Sequence, residues 1–148
     1  MGFRTKSKTE DVLFSDCVRV MAKWRCVRCY RQHEPYQNTM DCSHFWGRGN
    51  HSVRYDFENA DALCRYPCHQ GSDSYNPAKL GWEYKKQIKG QHGCKEDGEY
   101  TVYMKEKLGE KGFDLLMLRA HTSQKFKIDK KELRKELRAK LAAMDAAA

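Results

Sequence analysis

Two short-spaced cysteine pairs, Cys26-Val27-Arg28-Cys29 and Cys64-Arg65-Tyr66-Pro67-Cys68, stand 34 residues apart in the sequence. Four thiolates at such spacings can close a tetrahedral shell around zinc and tie two distant chain segments together. In a small domain that metal contributes folding free energy directly. Other zinc chemistries fail on spacing. A two-Cys, two-His finger needs two histidines three to five residues apart, and none of the six histidines forms such a pair. A zinc deaminase needs Pro-Cys-x-x-Cys, but Pro67-Cys68 is followed by His69-Gln70-Gly71. The expectation is a structural Zn²⁺ on Cys26, Cys29, Cys64 and Cys68. Cys42 could only stand in for one of these four, and Cys17 and Cys94 read as ordinary small residues.

A second set of reactive side chains lies within or beside the span that this metal would clamp. His44 sits in Asp41-Cys42-Ser43-His44-Phe45-Trp46-Gly47-Arg48, Asn59 follows fifteen residues later, and His69 ten residues after that. From Trp24 to Ala78 there are six arginines (Arg25, Arg28, Arg31, Arg48, Arg54, Arg65) and no lysine. A planar fork is the better choice where phosphate or carboxylate must be gripped, whereas lysine suffices as a solvated point charge.

The elements that must position these residues are read from periodicity and breakers. Residues 1–23 are expected to form a loose basic arm followed by a short element of uncertain type. Met40 to Trp46 reads as a strand, broken by Gly47-Arg48-Gly49-Asn50, and Ser52 to Phe57 as a second strand completing a hairpin. Asn59 to Gln70 reads as a loop entering a helix. Asn76-Pro77 is a helix start running toward Ile88, with Pro in the first turn, and Gly90 to Gly98 is a loop. Glu99 to Leu108, Phe113 to Ala120 and Asp129 to Met144 are further helices. The last places Leu133, Leu137, Leu141 and Met144 on one face.

The chain has 148 residues, 40% apolar and 32% charged, with a net charge of +8. Length favours one domain, or one compact domain with a helical appendage. The basic balance points to a polyanion, and nucleic acid is the expected one. Residues 99–148 carry +4 of the excess, and Leu115 to Lys140 holds nine basic residues against three acidic. No apolar run is long enough to span a bilayer. The first residues carry neither an apolar signal segment nor a myristoylation signal, so a reducing cytoplasmic location is expected, where paired cysteines bind metal more often than they form disulfides.

Taken in order, His44, Asn59, Leu63-Cys64 and Cys68-His69 resemble the zinc-containing branch of the HNH endonucleases, which have the ββα-metal fold. The stretch Cys42-Ser43-His44-Phe45 through Arg48, with Arg54-Tyr55-Asp56, Asn59 and Cys64, is similar to phage NinG-type recombination proteins. The resemblance covers roughly Trp24 to Gln70. It implies an α+β fold with a small zinc-clamped ββα-metal core over 24–98, an N-terminal arm over 1–23 and a helical basic extension over 99–148.

It also implies a phosphodiester hydrolase acting on DNA in a bacterial host cell, phage- or prophage-encoded, with low sequence specificity. In such an enzyme His44 would be the general base and Asn59 would pin the hairpin loop and orient His44. Arg48 would grip a phosphate, and His69 would bind a catalytic Mg²⁺ or Mn²⁺. Many HNH enzymes place a metal-binding Asp or His directly before the base. Here Ser43 stands there, and Asp41 is the candidate at a shifted position. Arg48, Arg54, Lys130, Arg134 and Arg138 are the expected DNA contacts, although Glu132 and Glu136 would equally allow a solvated helix face with intrahelical ion pairs. The rival readings are a zinc-stabilised nucleic-acid binding module without catalysis and a ribonuclease. No membrane partner is expected, and the protein would be a monomer or a homodimer.

Overall fold

The computed structural model describes residues 8–70, 81–82, 86–89, 95–122 and 127–147, of which 87–89 and 95–96 are described by backbone alone. It is a small α+β protein. Helix α1 (Glu10–Met21) comes first, followed by strands β1 (Met40–His44) and β2 (Ala60–Cys64), a second strand pair β3 (Gln87–Lys89) and β4 (Lys95–Asp97), and helices α2 (Glu99–Ala120) and α3 (Lys130–Ala146).

β1 and β2 pair antiparallel, from Met40 opposite Cys64 to His44 opposite Ala60. Neighbouring side chains on a strand point to opposite faces, and the two faces of this pair are covered by different helices. Ser43, fully buried, hydrogen-bonds Tyr100 of α2 (3.0 Å), and the Tyr103 hydroxyl of α2 donates to Asp61 (3.1 Å). On the other face Phe14 of α1 stacks on His44, with ring centroids 5.6 Å apart. Ala60 and Ala62, opposite His44 and Cys42, keep β2 small there. A third layer follows: α3 packs on α1, with the Cys17 thiol directed at the Leu137 carbonyl (3.6 Å) and Glu10 bridged by Arg134 (3.1 Å) and Lys130 (3.7 Å).

Local chemistry sets the helix limits. The Thr9 hydroxyl accepts from the Val12 amide and caps α1, and Asp129 does the same for α3 through the Glu132 amide. α2 joins the two helices expected from the sequence. They meet at Gly109, whose φ of 73° and ψ of 164° interrupt the helical path, a conformation open mainly to glycine. Leu13, Phe14, Cys17 and Val18 of α1 belong to the same core as Phe45, Leu63, Tyr100 and Met104, so residues 10–21 are a packed helix. A buried phenylalanine such as Phe14 contributes roughly 3 kcal/mol from apolar burial.

Three elements differ from expectation. The second strand is Ala60–Cys64, not Ser52 to Phe57, where the chain makes two short 3₁₀ turns, His51–Val53 and Phe57–Asn59. The alternation in 52–57 is that of a loop side chain set, in which Val53 is buried and Arg54 and Asp56 form ion pairs. Gln87–Lys89, expected to end a helix, is a strand, and its partner Lys95–Asp97 lies within the expected loop. The expected helix start at Asn76-Pro77 lies outside the described residues.

Candidate functional site

The four cysteines come together from two segments. Residues 24–33 form a tight turn, in which the Cys26 amide donates to the Arg31 carbonyl, the Tyr30 amide to the Cys26 carbonyl (2.9 Å), and the Cys29 amide points at the Cys26 sulfur (3.5 Å). Tyr30 closes the turn with φ of 63°. Cys64 ends β2, and Cys68 lies in the turn that follows. All four Sγ atoms lie within 4.8 Å of one another. A tetrahedral zinc with bonds of about 2.3 Å requires sulfurs about 3.8 Å apart, so donor type, number and spacing fit a metal ion such as zinc.

Burial, reinforced by the adjacent sulfurs, pushes the Cys68 thiol up to about 12 and raises Cys64 as well. Four thiols this close cannot all ionise without a cation among them. Arg28, inside the first pair, joins the halves by donating to the Cys68 carbonyl (3.3 Å) while its fork holds Glu99 (2.8 and 3.1 Å).

His33, which no spacing in the sequence marks as a ligand or a base, lies against this cluster. Its Nε2 lies 2.9 Å from the Cys64 sulfur and its Nδ1 2.8 Å from the Thr39 hydroxyl. A ring N–H aimed at a metal-bound thiolate fixes that ligand's orientation. Proximity to Pro35 and a run of polar residues offered no sign of it.

Along the hairpin, β1 and α1 form the walls of a cleft of about 420 Å³. Asp41, His44, Arg48 and His69 all line it, together with Asp11, Ser15 and Arg19 of α1 and Gln70. The α1 residues recur every fourth position and so share one helix face.

The His44 ring is oriented by its neighbours. Its Nε2 is 2.9 Å from the Arg54 carbonyl. A carbonyl only accepts, so the neutral ring carries its proton on Nε2 and keeps a lone pair on Nδ1. Burial lowers the His44 pKa and outweighs the hydrogen bond to the Arg54 carbonyl, which raises it; the Arg48 charge lowers it further, Asp11 raises it and the Arg54 charge lowers it.

Asn59 is wholly buried. Its side-chain oxygen accepts from the Trp46 amide (2.8 Å), and its amide nitrogen donates to the Trp46 (2.8 Å) and Val53 (3.2 Å) carbonyls. It therefore pins both ends of the 46–53 loop, and its reach to His44 is through the backbone, not a direct bond.

Asp41 accepts from three side chains: Arg65 on one oxygen (3.0 Å), and His69 and Gln70 on the other (both 2.9 Å). Burial opposes its ionisation, but the His69 and Arg65 hydrogen bonds outweigh this and hold its pKa below the ordinary carboxylate range. His69 donates its Nδ1–H to this carboxylate, which leaves Nε2 as the acceptor nitrogen of the neutral ring. Both Asp41 oxygens are already engaged, which makes Asp41 an anchor for His69 more than a ligand in its own right. Among the described residues, the four cysteines are the only group of three or more His, Cys, Asp or Glu donors close enough to hold a metal ion; a hydrated Mg²⁺ or Mn²⁺ needs fewer protein ligands.

Half of the six arginines serve internal carboxylates. Arg28 holds Glu99, Arg65 holds Asp41, and Arg54 grips Asp11 through both nitrogens (2.9 and 2.8 Å). Arg48 is exposed, with no ion pair among the described residues. On α3 the cations divide similarly. Lys130 and Arg134, expected on a nucleic-acid face, face Glu10, and Lys140 lies 4.9 Å over the Phe57 ring. Lys131, Lys135 and Arg138 are exposed, and among the described residues α3 has no intrahelical ion pair. No helix among the described residues is long and apolar enough to cross a membrane.

No protein-family model, no curated protein and no solved structure matches this chain.

Proposed function

We propose that the protein is a metal-dependent DNA endonuclease of the HNH class, its β1–β2 hairpin forming a ββα-metal-like core clamped by a structural zinc. One observation carries the reading. Asp41, His44 and Arg48 from one short stretch, and His69 from 21 residues beyond it, are each suited to one task in phosphodiester hydrolysis and line a single cleft. Hydrolysis needs a base for water, a cation for developing charge, and a grip on the phosphate.

In this reading Nδ1 of His44 accepts a proton from water. The water oxygen bonds to phosphorus as the ester oxygen leaves. The lowered pKa keeps the ring neutral, and so basic, at neutral pH. Arg48 binds a non-bridging phosphate oxygen. Asn59 keeps the 46–53 loop closed so that Arg48 and the Arg54 carbonyl stay in place. His69, held by Asp41, would be the protein ligand of a Mg²⁺ or Mn²⁺, which when bound would stabilise charge on the phosphate. DNA outside the cleft would follow Lys131, Lys135 and Arg138, contacts that read phosphate and not sequence. Low sequence specificity and a place in phage DNA recombination or processing belong to the same proposal.

A plasmid-nicking assay with added Mg²⁺ or Mn²⁺ tests it. Wild type should convert supercoiled DNA to the open-circular form, and His44→Ala should not. If wild type cuts nothing with either ion, the chain is the non-catalytic binding module. Cleavage of RNA with DNA left intact would make it a ribonuclease.

A further inference from the structure

We propose that Asp11 of α1 is a positioning residue for His44, acting through Arg54. α1 lies outside the segment that carries the HNH resemblance, yet it builds the environment of the histidine. The acceptor for the Nε2 proton is the carbonyl of Arg54, and no sheet fixes that carbonyl. Arg54 follows a single 3₁₀ turn, and its own amide makes only a long bond to the His51 carbonyl (3.4 Å). What holds the residue is its guanidinium, locked at 2.9 and 2.8 Å to the two oxygens of Asp11. A bidentate fork fixes orientation as well as distance.

The same face of α1 carries Phe14, one turn beyond Asp11, which is almost wholly buried and stacks on the His44 ring at 5.6 Å with an interplanar angle of 28°. Asp11 therefore sets the acceptor of the ring's proton and Phe14 sets the plane of the ring. Together they aim the Nδ1 lone pair. Helices hold side chains more rigidly than loops do, which is what such a task needs. α1 is in turn braced from behind, because Glu10, the residue before Asp11, is held by Arg134 and Lys130 of α3. The charged groups acting on His44 are Arg48 and Arg54 from the loop and Asp11 from α1.

The inference uses the proposed function only for its kinetic consequence, so two readouts are taken on the full zinc-loaded chain. In nitrogen-15 NMR, wild-type His44 should show one dominant tautomer, protonated at Nε2. Asp11→Ala and Arg54→Ala, which keeps the Arg54 carbonyl, should each give a tautomer-averaged ring. The double variant should be no worse than either single one, because both cut the same connection. In nicking assays at saturating Mn²⁺, turnover should fall about tenfold to a hundredfold with little change in KM, and Asp11→Glu should recover part of it. Circular dichroism and zinc content check that the variants are folded, and Asp11→Asn replaces Asp11→Ala if the latter is not. A folded Asp11 variant with the wild-type His44 tautomer overturns the proposal, as do losses that multiply in the double variant. If wild type does not nick DNA, the endonuclease reading fails, while the NMR arm still decides whether Asp11 positions His44.

Discussion

Cys64 and Ala60 stand at opposite ends of β2, about 13 Å apart at the usual strand rise, and the cysteine cluster at the first and the cleft that runs from beside it toward the second are held by different means. At the Cys64 end four identical sulfurs converge from two short local motifs, and local turns supply most of the geometry. Along the cleft every donor is of a different type, and each is set by a partner elsewhere in the chain: His44 by Arg54 and Phe14, His69 by Asp41, Arg54 by Asp11. A cluster of like donors is organised by whatever ion it binds. A cleft of unlike groups must be organised by the rest of the protein. The first is therefore expected to fail all at once and the second one residue at a time.

Removing the metal should produce the largest effect. Protein purified without added metal should hold about one zinc per chain by elemental analysis. A strong chelator, or Cys26→Ser with Cys29→Ser, should abolish cooperative unfolding followed by circular dichroism, because structural zinc binding is worth on the order of 10 kcal/mol. At the other end His44→Ala should lower nicking by at least about a hundredfold, the contribution of a general base, with zinc content and secondary structure unchanged. A His44 variant that unfolds would erase the contrast between the two ends. Smaller still, Asp41→Asn should raise the Mn²⁺ concentration needed for half-maximal nicking about tenfold, leaving the rate at saturating metal near wild type.

The pH dependence sharpens the same contrast. Burial lowers the His44 pKa below its ordinary 6.5, so nicking should rise with pH through a value under 6.5 and be level by pH 7. The unfolded chain binds the proton more readily than the folded one in that window, so His44 also makes stability fall as pH drops below about 6.5. His44→Phe should remove that part of the pH dependence in urea melts. The smallest effect belongs to α3. Lys131→Ala with Lys135→Ala and Arg138→Ala should reduce the slope of DNA affinity against salt by about three contacts. Lys130→Ala with Arg134→Ala should leave the slope alone and cost less than about 2 kcal/mol of stability.

What the sequence made legible follows the same division. A Cys-x-x-Cys turn is local, so Cys26 and Cys29 could be read directly and Cys64 and Cys68 by analogy. The alternation that suggested a strand at Ser52 to Phe57 reflects a loop whose side chains face alternately inward and into ion pairs. The true strand, Ala60-Asp61-Ala62-Leu63-Cys64, carries two alanines and an aspartate, weak strand formers that tertiary burial overrides. Asp11 and Arg54 are 43 residues apart and His33 and Cys64 are 31 apart. Neither pairing leaves a periodic trace, so α1 as a wall of the cleft and His33 as a neighbour of the cysteines emerge only from the folded chain. The basic helix was visible as such, but not which of its cations face inward.

The contact between Cys17 and the Leu137 carbonyl joins residues 120 positions apart, and it bears on the order of folding. The hairpin and the cysteine turns close over short loops, whereas α1 completes its packing only after α3 has been synthesised, and contacts of such separation form late. During translation the cysteine end of the hairpin can close first, while the wall that orients His44 waits for the last helix. A nascent chain would thus be metal-competent well before its cleft is complete.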